Sequence, residues 1–404
     1  MITDISTNKV YLSSLIKAKK FEPFWTELEK ILSKHQIRPS FIDGTRSIWC
    51  RDYMPIQISE KDYVQFKYFP DYCLTHKEVG KLTIQNEMLY EKPHGINVRQ
   101  IDLVVDGGNI VKSKNKAIMT KKVFKENRNR SEKSIVDILI KALKVDDIYF
   151  IPIQPYDYTG HSDGMVRLID DTTLLINDFS METPSWIKKF EKAIDQIGIE
   201  PTIFPYAHSD RKVENDWTAE GCYINYAQIG NLIIFPQFGI KKDGEAMAVI
   251  RRLFPEPHFH VEPINANLIA EGGGVLNCMT WNIHKPIFET AIDKLVPYAA
   301  FGNKIMVVHK DDTDENLIDT VCIQLSLDSG EVGKTWSRAK TIKHMEVYKR
   351  IRQEQILSYM EQLVKRFTIE QLSDILEALL NPSKAVMDEL VHMPPRLNNY
   401  NPKK

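Results

Sequence analysis

Four short segments of this 404-residue chain carry side chains able to do nucleophilic and acid–base chemistry. Gly160-His161-Ser162-Asp163-Gly164 sets an imidazole two positions from a carboxylate, and an extended backbone would turn both to one face. Ala270-Glu271-Gly272-Gly273-Gly274-Val275-Leu276-Asn277-Cys278 places three glycines, which let a backbone approach a ligand closely, just ahead of a thiol. Trp49-Cys50-Arg51-Asp52 joins an aromatic ring to a cation and an anion, and Asp106-Gly107-Gly108-Asn109 sets a carboxylate before two glycines. Taken singly, these read as a polar turn, a buried inert thiol, an ion pair and a second turn. Taken together, they supply what attack on a guanidinium group needs. Paired carboxylates hold that planar cation through bidentate, charge-assisted hydrogen bonds. A thiolate favoured by the neighbouring cation attacks the central carbon, and one histidine gives a proton to the departing amine and later takes one from water.

Elements that could position such groups recur along the chain. An amphipathic helix, a short apolar strand and a glycine-rich or charged loop follow one another four times. The predicted helices are Phe21 to Lys34, Ser131 to Leu143, Pro184 to Ile197 and Asp243 to Phe254; the strands after them are Arg38 to Ile42, Asp147 to Ile153, Pro201 to Pro205 and Phe259 to Ile264. Further strands are expected before the helices, at Gln65 to Tyr68, Ala117 to Thr120, Thr173 to Asn177 and Asn231 to Pro236. The loop after the third unit carries His208, Asp210 and Glu214. Asp52 and His161 are 109 residues apart and His161 and Cys278 117, each close to two such units. A single unit of this kind cannot bury its apolar face alone. A ring of strand-rich units with helices outside would bury it and would bring distant loops to one central site.

In their order, Trp49-Cys50-Arg51-Asp52-Tyr53-Met54-Pro55, Asp106-Gly107-Gly108-Asn109, Gly160-His161-Ser162-Asp163 and Glu271 to Thr280 resemble the motif series of the agmatine deiminase and bacterial-type peptidylarginine deiminase family. Cys222-Tyr223-Ile224-Asn225-Tyr226, running to Phe235-Pro236, resembles that family's stretch between its His and Cys motifs, so the resemblance covers roughly residues 8 to 290. It implies an α/β fold, a five-unit propeller of the pentein type, and hydrolysis of a guanidino group to a ureido group and ammonia through a covalent thiouronium on Cys278. It implies His161 as general acid and base, Asp52 and Asp163 as the guanidinium clamp, and Asp106 as an element of the pocket wall. Trp49, Arg51, Gly273, Gly274 and Asn277 join the expected substrate-binding set, with Arg51 and Trp49 as supports. No metal or organic cofactor is implied. The chain departs from the family pattern at Asn277, Trp281 and Asn282, where His and Gln are usual, and at Asp106 and Met54, where Glu and Gly are common. A resized pocket follows.

Lys plus Arg total 53 and Asp plus Glu 54, a balance without the field that draws a protein to nucleic acid or an anionic membrane. Five widely spaced cysteines form no CxxC pair, and no stretch approaches a membrane span, so a reduced, cytoplasmic chain is expected. The expected partner is a small guanidino substrate or an arginine side chain. Residues 1–330 read as the catalytic domain, with a strand-like run at Ile305 to Val308, and residues 331–404 as a helical extension, apolar at helical spacing over Met345 to Leu363 and Ile369 to Leu380. Its tail from Met393 reads as disordered, and the extension is a candidate for packing on its own domain or for homo-oligomer contact. Three other readings use the same residues: amidinotransfer, in which an amine resolves the adduct; a guanidine-binding protein without turnover; and a metal-dependent hydrolase built on His161, Asp163, Asp106, His258 and His260.

Overall fold

The amphipathic segments form helices whose apolar sides face the core. Glu22–Lys34 buries Phe24, Leu28, Ile31 and Leu32, and Glu132–Leu143 buries Ile135, Leu139, Ala142 and Leu143. Pro184–Asp195 buries Trp186, Phe190 and Ile194, and Lys242–Leu253 buries Ala246 and Ile250. Complete burial of one large aliphatic or aromatic side chain stabilises the fold by about 2 kcal/mol. Helix ends follow local chemistry. The Ser131 side chain accepts from the Ser134 N–H at 3.2 Å, and Pro184 opens its helix where a missing N–H costs nothing.

The computed structural model describes residues 1–35, 37–72, 97–207, 212–213, 216–285, 299–301 and 304–306. The chain divides into two compact units, Met1–Lys285 and Pro286–Lys404. In the second, Ala299–Phe301 pairs antiparallel with Lys304–Met306. The expected helical extension at 331–404 and its tail lie outside the described residues, as do His208, Asp210 and Glu214.

The first unit is a mixed α/β fold containing five three-stranded sheets of one pattern, in which a central strand has an antiparallel partner on one side and a parallel partner on the other. Lys9–Ser13 stands between Trp281–Ile283 and Ser40–Ile42. Asp62–Lys67 stands between Ile56–Gln57 and Asn97–Val104, and Lys116–Thr120 between Val111–Lys112 and Asp147–Ile151. Leu174–Asn177 and Leu232–Gln237 repeat the arrangement, between Val166–Leu168 and Pro201–Phe204, and between Ala227–Ile229 and His260–Asn265. In four sheets a described helix crosses from the central strand to its parallel partner, because parallel neighbours need a crossover.

The sequence repeat therefore holds, with one more unit than its four visible helices indicated. The second sheet stands outside that count because the count rests on predicted helices, and none is predicted between Asp62–Lys67 and Asn97–Val104. The short antiparallel partners escaped because two or three residues cannot display an alternating pattern. One local expectation is corrected: Gly160 to Gly164 is not an extended strand but a turn, with Gly160 at φ +66°. His161 and Asp163 share a site through that turn, not through strand alternation.

Candidate active site

Every passage from one sheet to the next brings a polar side chain to a common place. Residues 43–55 carry Asp52, residues 105–110 carry Asp106, residues 152–165 carry His161 and Asp163, residues 205–226 carry Asn225, and residues 266–280 carry Cys278. Asp52 sits in the short helix Cys50–Tyr53 and Cys278 in Leu276–Met279. A cavity of about 110 Å³ is lined by Asp52, His161, Asp163, Asn225 and Cys278, with Trp49, Gly273, Gly274, Tyr72 and Tyr158 on its walls.

Asp163 and Asn225 hold the thiol. Cys278 Sγ lies 3.5 Å from Asp163 Oδ2 and 3.4 Å from Asn225 Oδ1. Asn225 Oδ1 also accepts from the Asn277 and Cys278 N–H groups at 3.1 and 3.3 Å, and Asn225 Nδ2 donates to the Asp163 carbonyl at 3.2 Å. Asn277 Nδ2 donates to Asp163 Oδ2 at 2.8 Å, and Arg51 Nε donates to the Asn277 carbonyl at 3.2 Å. Arg51 and Asn277 thus stand behind the cavity wall and fix the carboxylate and the cysteine turn. Burial pushes the Cys278 thiol well above its usual range, and the charges of Asp163 and Asp52 push it further.

Two carboxylates flank His161. Its Nε2 is 2.9 Å from Asp106 Oδ2, and its Nδ1 is 3.6 Å from Asp52 Oδ1. Burial alone would lower the ring's pKa, but the Asp52 charge and the Asp106 hydrogen bond outweigh it and raise it to about 9. Asp52 is raised to about 7, by burial first and then by the charges of Asp106 and Asp163, with His161 acting against them. Burial also pushes Asp106 upward, yet the His161 hydrogen bond and the Lys122 charge hold it below the ordinary carboxylate range. Asp106 is fully buried and does not line the cavity.

Glycine matters at two places beside the cavity groups. A Cβ on Gly108 would lie 2.6 Å from both Asp52 Oδ1 and His161 Nδ1, and the Gly108 N–H donates to that Asp52 oxygen at 3.0 Å. Gly273 has φ +82°, and a Cβ there would lie 1.8 Å from the Tyr158 hydroxyl. The Trp49 ring packs against the neighbouring Gly272 and Gly274.

The arrangement can pair a planar cation with Asp52 and Asp163, present its carbon to Cys278 Sγ, and exchange protons through His161. His258 and His260, which a metal-site reading would need, do not line this cavity; the His260 ring lies 5.0 Å from that of His35. Sequence reasoning did not single out Asn225, Lys122, Tyr72 or Tyr158. Asn225 had a signal, since it lies within Cys222-Tyr223-Ile224-Asn225-Tyr226, whereas Lys121-Lys122 looks like any solvated pair of lysines.

Comparison with known proteins finds relatives of this fold and sequence. The solved agmatine deiminase of C. jejuni superposes with a TM-score of 0.57 at 16% identity, covering 70% of this chain and 95% of that one. The agmatine deiminase of Enterococcus faecalis gives 0.56 at 15% identity, covering 70% and 95%. At such identities the shared property is the fold. A curated protein of Marinomonas sp. (strain MWYL1), whose name places it with the agmatine deiminases, is 25% identical over 219 residues, 47% of this chain and 59% of the relative. The agmatine deiminase of Pseudomonas aeruginosa (strain LESB58) is 38% identical over 60 residues, 15% of this chain and 16% of the relative. The chain spans between half and three fifths of the first curated relatives it matches. The family model for Porphyromonas-type peptidyl-arginine deiminases matches residues 16–283, the whole stretch that delivers Asp52, Asp106, His161, Asp163, Asn225 and Cys278, and the chain belongs to that family.

Proposed function

We propose that this cavity deiminates a guanidino substrate, releasing ammonia and leaving a ureido product. The supporting observation is the placement of one thiol, one doubly flanked imidazole and two carboxylates around a single buried space. Asp52 and Asp163 bind the guanidinium. Its positive charge offsets the two anions that oppose ionisation of Cys278, so with substrate in place the thiol releases its proton to solvent and the thiolate forms while His161 keeps its own proton. Sγ attacks the central carbon, His161 protonates one nitrogen, and the carbon–nitrogen bond breaks to release ammonia. His161, now neutral, takes a proton from water as it attacks the thiouronium. The carbon–sulfur bond breaks, the thiolate leaves, and the remaining hydroxyl proton passes to solvent, leaving the ureido carbonyl.

The lining favours a small dication of the agmatine type. Among the described residues around the cavity are the carboxylates Asp52, Asp163 and Asp157, with no Lys or Arg to pair a substrate carboxylate. Ammonia release from agmatine, free arginine and an arginine peptide tests the reading, with Cys278→Ala as control. Release from agmatine, abolished in the variant, is the expected result; retained release in the variant overturns the assignment.

The five like sheets support a five-unit propeller of the pentein type for the catalytic unit. Free thiols at Cys50, Cys222 and Cys278 suit a reduced, cytoplasmic setting. Among the described residues no helix is long and apolar enough to cross a membrane. Residues 331–404 are proposed as a helical extension that packs on its own domain or serves homo-oligomer contact, on the strength of their apolar spacing.

A further inference from the structure

A buried lysine stands behind the catalytic histidine. Lys122 is 3% exposed, and its Nζ lies 2.7 Å from Asp106 Oδ2, the oxygen that also meets His161 Nε2 at 2.9 Å. The same ammonium is 3.2 Å from Glu126 Oε1 and 3.1 Å from Asp71 Oδ1, and it sits 4.8 Å from the centroid of the Tyr72 ring. Tyr72 in turn packs edge-on against His161, with ring centroids 5.9 Å apart. Lysine is rarely this buried unless paired, and here three carboxylates converge on it.

The backbone around Lys122 is tied to the loops that carry His161 and Asp106. The Thr120 hydroxyl donates to the Gly160 carbonyl at 2.6 Å, and the Thr120 N–H donates to Asn109 Oδ1 at 2.8 Å. A Cβ on Gly160 would lie 3.3 Å from Lys122 Cδ, so the lysine stem occupies the space beside the loop that carries His161.

We propose that Lys122 is the positioning residue of His161: through Asp106 it locks the imidazole in place and keeps the intervening carboxylate ionised, so that the ring holds the proton the leaving amine needs. Without the ammonium, Asp106 would be a fully buried carboxylate facing Asp52 and Glu126 across His161 and the vacated space. Neutralising itself with the ring proton would then be its easiest relief. The direction of the Asp106 shift fits this role, since its charged form is favoured despite complete burial. Glu126, raised to about 8 by burial and then by the Asp106 charge, is the member that yields its charge first. The groups facing His161 are Asp52, Asp106 and the Tyr72 ring, with Lys122 beyond Asp106; those facing Lys122 are Asp106, Glu126, Asp71 and Tyr72.

The inference rests on the proposed deiminase reading, and the test separates the two. His161 is followed by NMR titration of ring-labelled protein, assigned with His161→Gln, alongside the pH dependence of ammonia release from agmatine. Lys122→Met should raise the pH at which the His161–Asp106 pair loses its proton by about one unit, because a buried cation has been removed. It should lower kcat about tenfold or more while KM changes little, because proton transfer rather than cation binding is affected. Lys122→Arg, which keeps the charge, should restore the titration even where turnover recovers only in part. Should Lys122→Met fail to fold, Asp71→Asn at the exposed end of the cluster provides the second arm, with a shift of opposite sign. Titration of His161 unmoved in Lys122→Met, or in Asp71→Asn where that arm is used, overturns the proposal. A wild-type protein that titrates as described but releases no ammonia would instead overturn the deiminase reading.

Discussion

At the residue scale the site is an electrostatic balance, and pH reads it directly. Asp52 at about 7 and His161 at about 9 belong to one interacting pair, so two macroscopic steps are expected. On the proposed mechanism, Asp52 protonated below the first step would lose the charge that pairs the cation, and His161 above the second would lack the proton for the leaving nitrogen. The pH profile of kcat/KM for agmatine should be a bell with limbs near those values, and activity rising steadily past pH 10 would contradict the assignment of roles. Asp163→Asn removes one of the charges that raise Asp52, so its acid limb should move to lower pH while KM rises. An unchanged KM would remove Asp163 from the clamp. Gly108→Ala would place a methyl 2.6 Å from both Asp52 Oδ1 and His161 Nδ1, and an ångström of misplacement can cost about 100-fold in rate. Steady-state kinetics showing less than a threefold loss would refute that account. Cys278, His161, Asp52 and Asp163 were legible because their chemistry is unusual in that order and spacing. Lys122 was not, because its partners Asp71, Asp106 and Glu126 gather only once the chain is folded.

At the element scale, what was legible was the 3.6-residue period of the crossover helices. Phe24, Leu28, Ile31 and Leu32 mark one inward face, and Ile135, Leu139 and Ala142 mark another; all are buried. Four central strands, Asp62–Lys67, Lys116–Thr120, Leu174–Asn177 and Leu232–Gln237, and four parallel partners were read to within a few residues from their short apolar runs, whereas the parallel partner Asn97–Val104 was not. The antiparallel partners were missed. Ile56–Gln57 and Val111–Lys112 are two residues long, and their place in a sheet is decided by neighbours remote in sequence. Lys9–Ser13 was also missed, since its partner Trp281–Ile283 lies at the other end of the unit. The helices share each core with the strands, as Leu139 and Ile135 do with Ala117 and Met119. Leu139→Ala, at a position with no exposed surface, should cost about 2–5 kcal/mol, measured as a lower midpoint in urea. A midpoint within error of wild type would show that the Glu132–Leu143 face is not part of a tight core.

For the molecule as a whole, repetition accounts for how chemistry gathers from distant sequence. Each sheet ends where a linker begins, and the five linkers deliver Asp52, Asp106, the His161–Asp163 turn, Asn225 and Cys278. The nearly equal separations of Asp52, His161 and Cys278 already contained that principle. Helical periodicity marks four units; the unit of Asp62–Lys67, whose crossover carries no predicted helix, was implied only by the family resemblance. Residues Met1–Lys285 form a compact unit that contains every site residue named above, so a protein ending at Lys285 should keep a cooperative thermal transition; its loss would make Pro286–Lys404 part of the folding unit. The central claim is that Cys278 Sγ takes the substrate carbon and releases ammonia. Rapid acid quench during agmatine turnover, followed by peptide mass analysis, tests it most directly. The account predicts a peptide containing Cys278 heavier by agmatine less ammonia, and no such peptide in Cys278→Ala; sustained turnover with Cys278 unmodified at every quench time would contradict it.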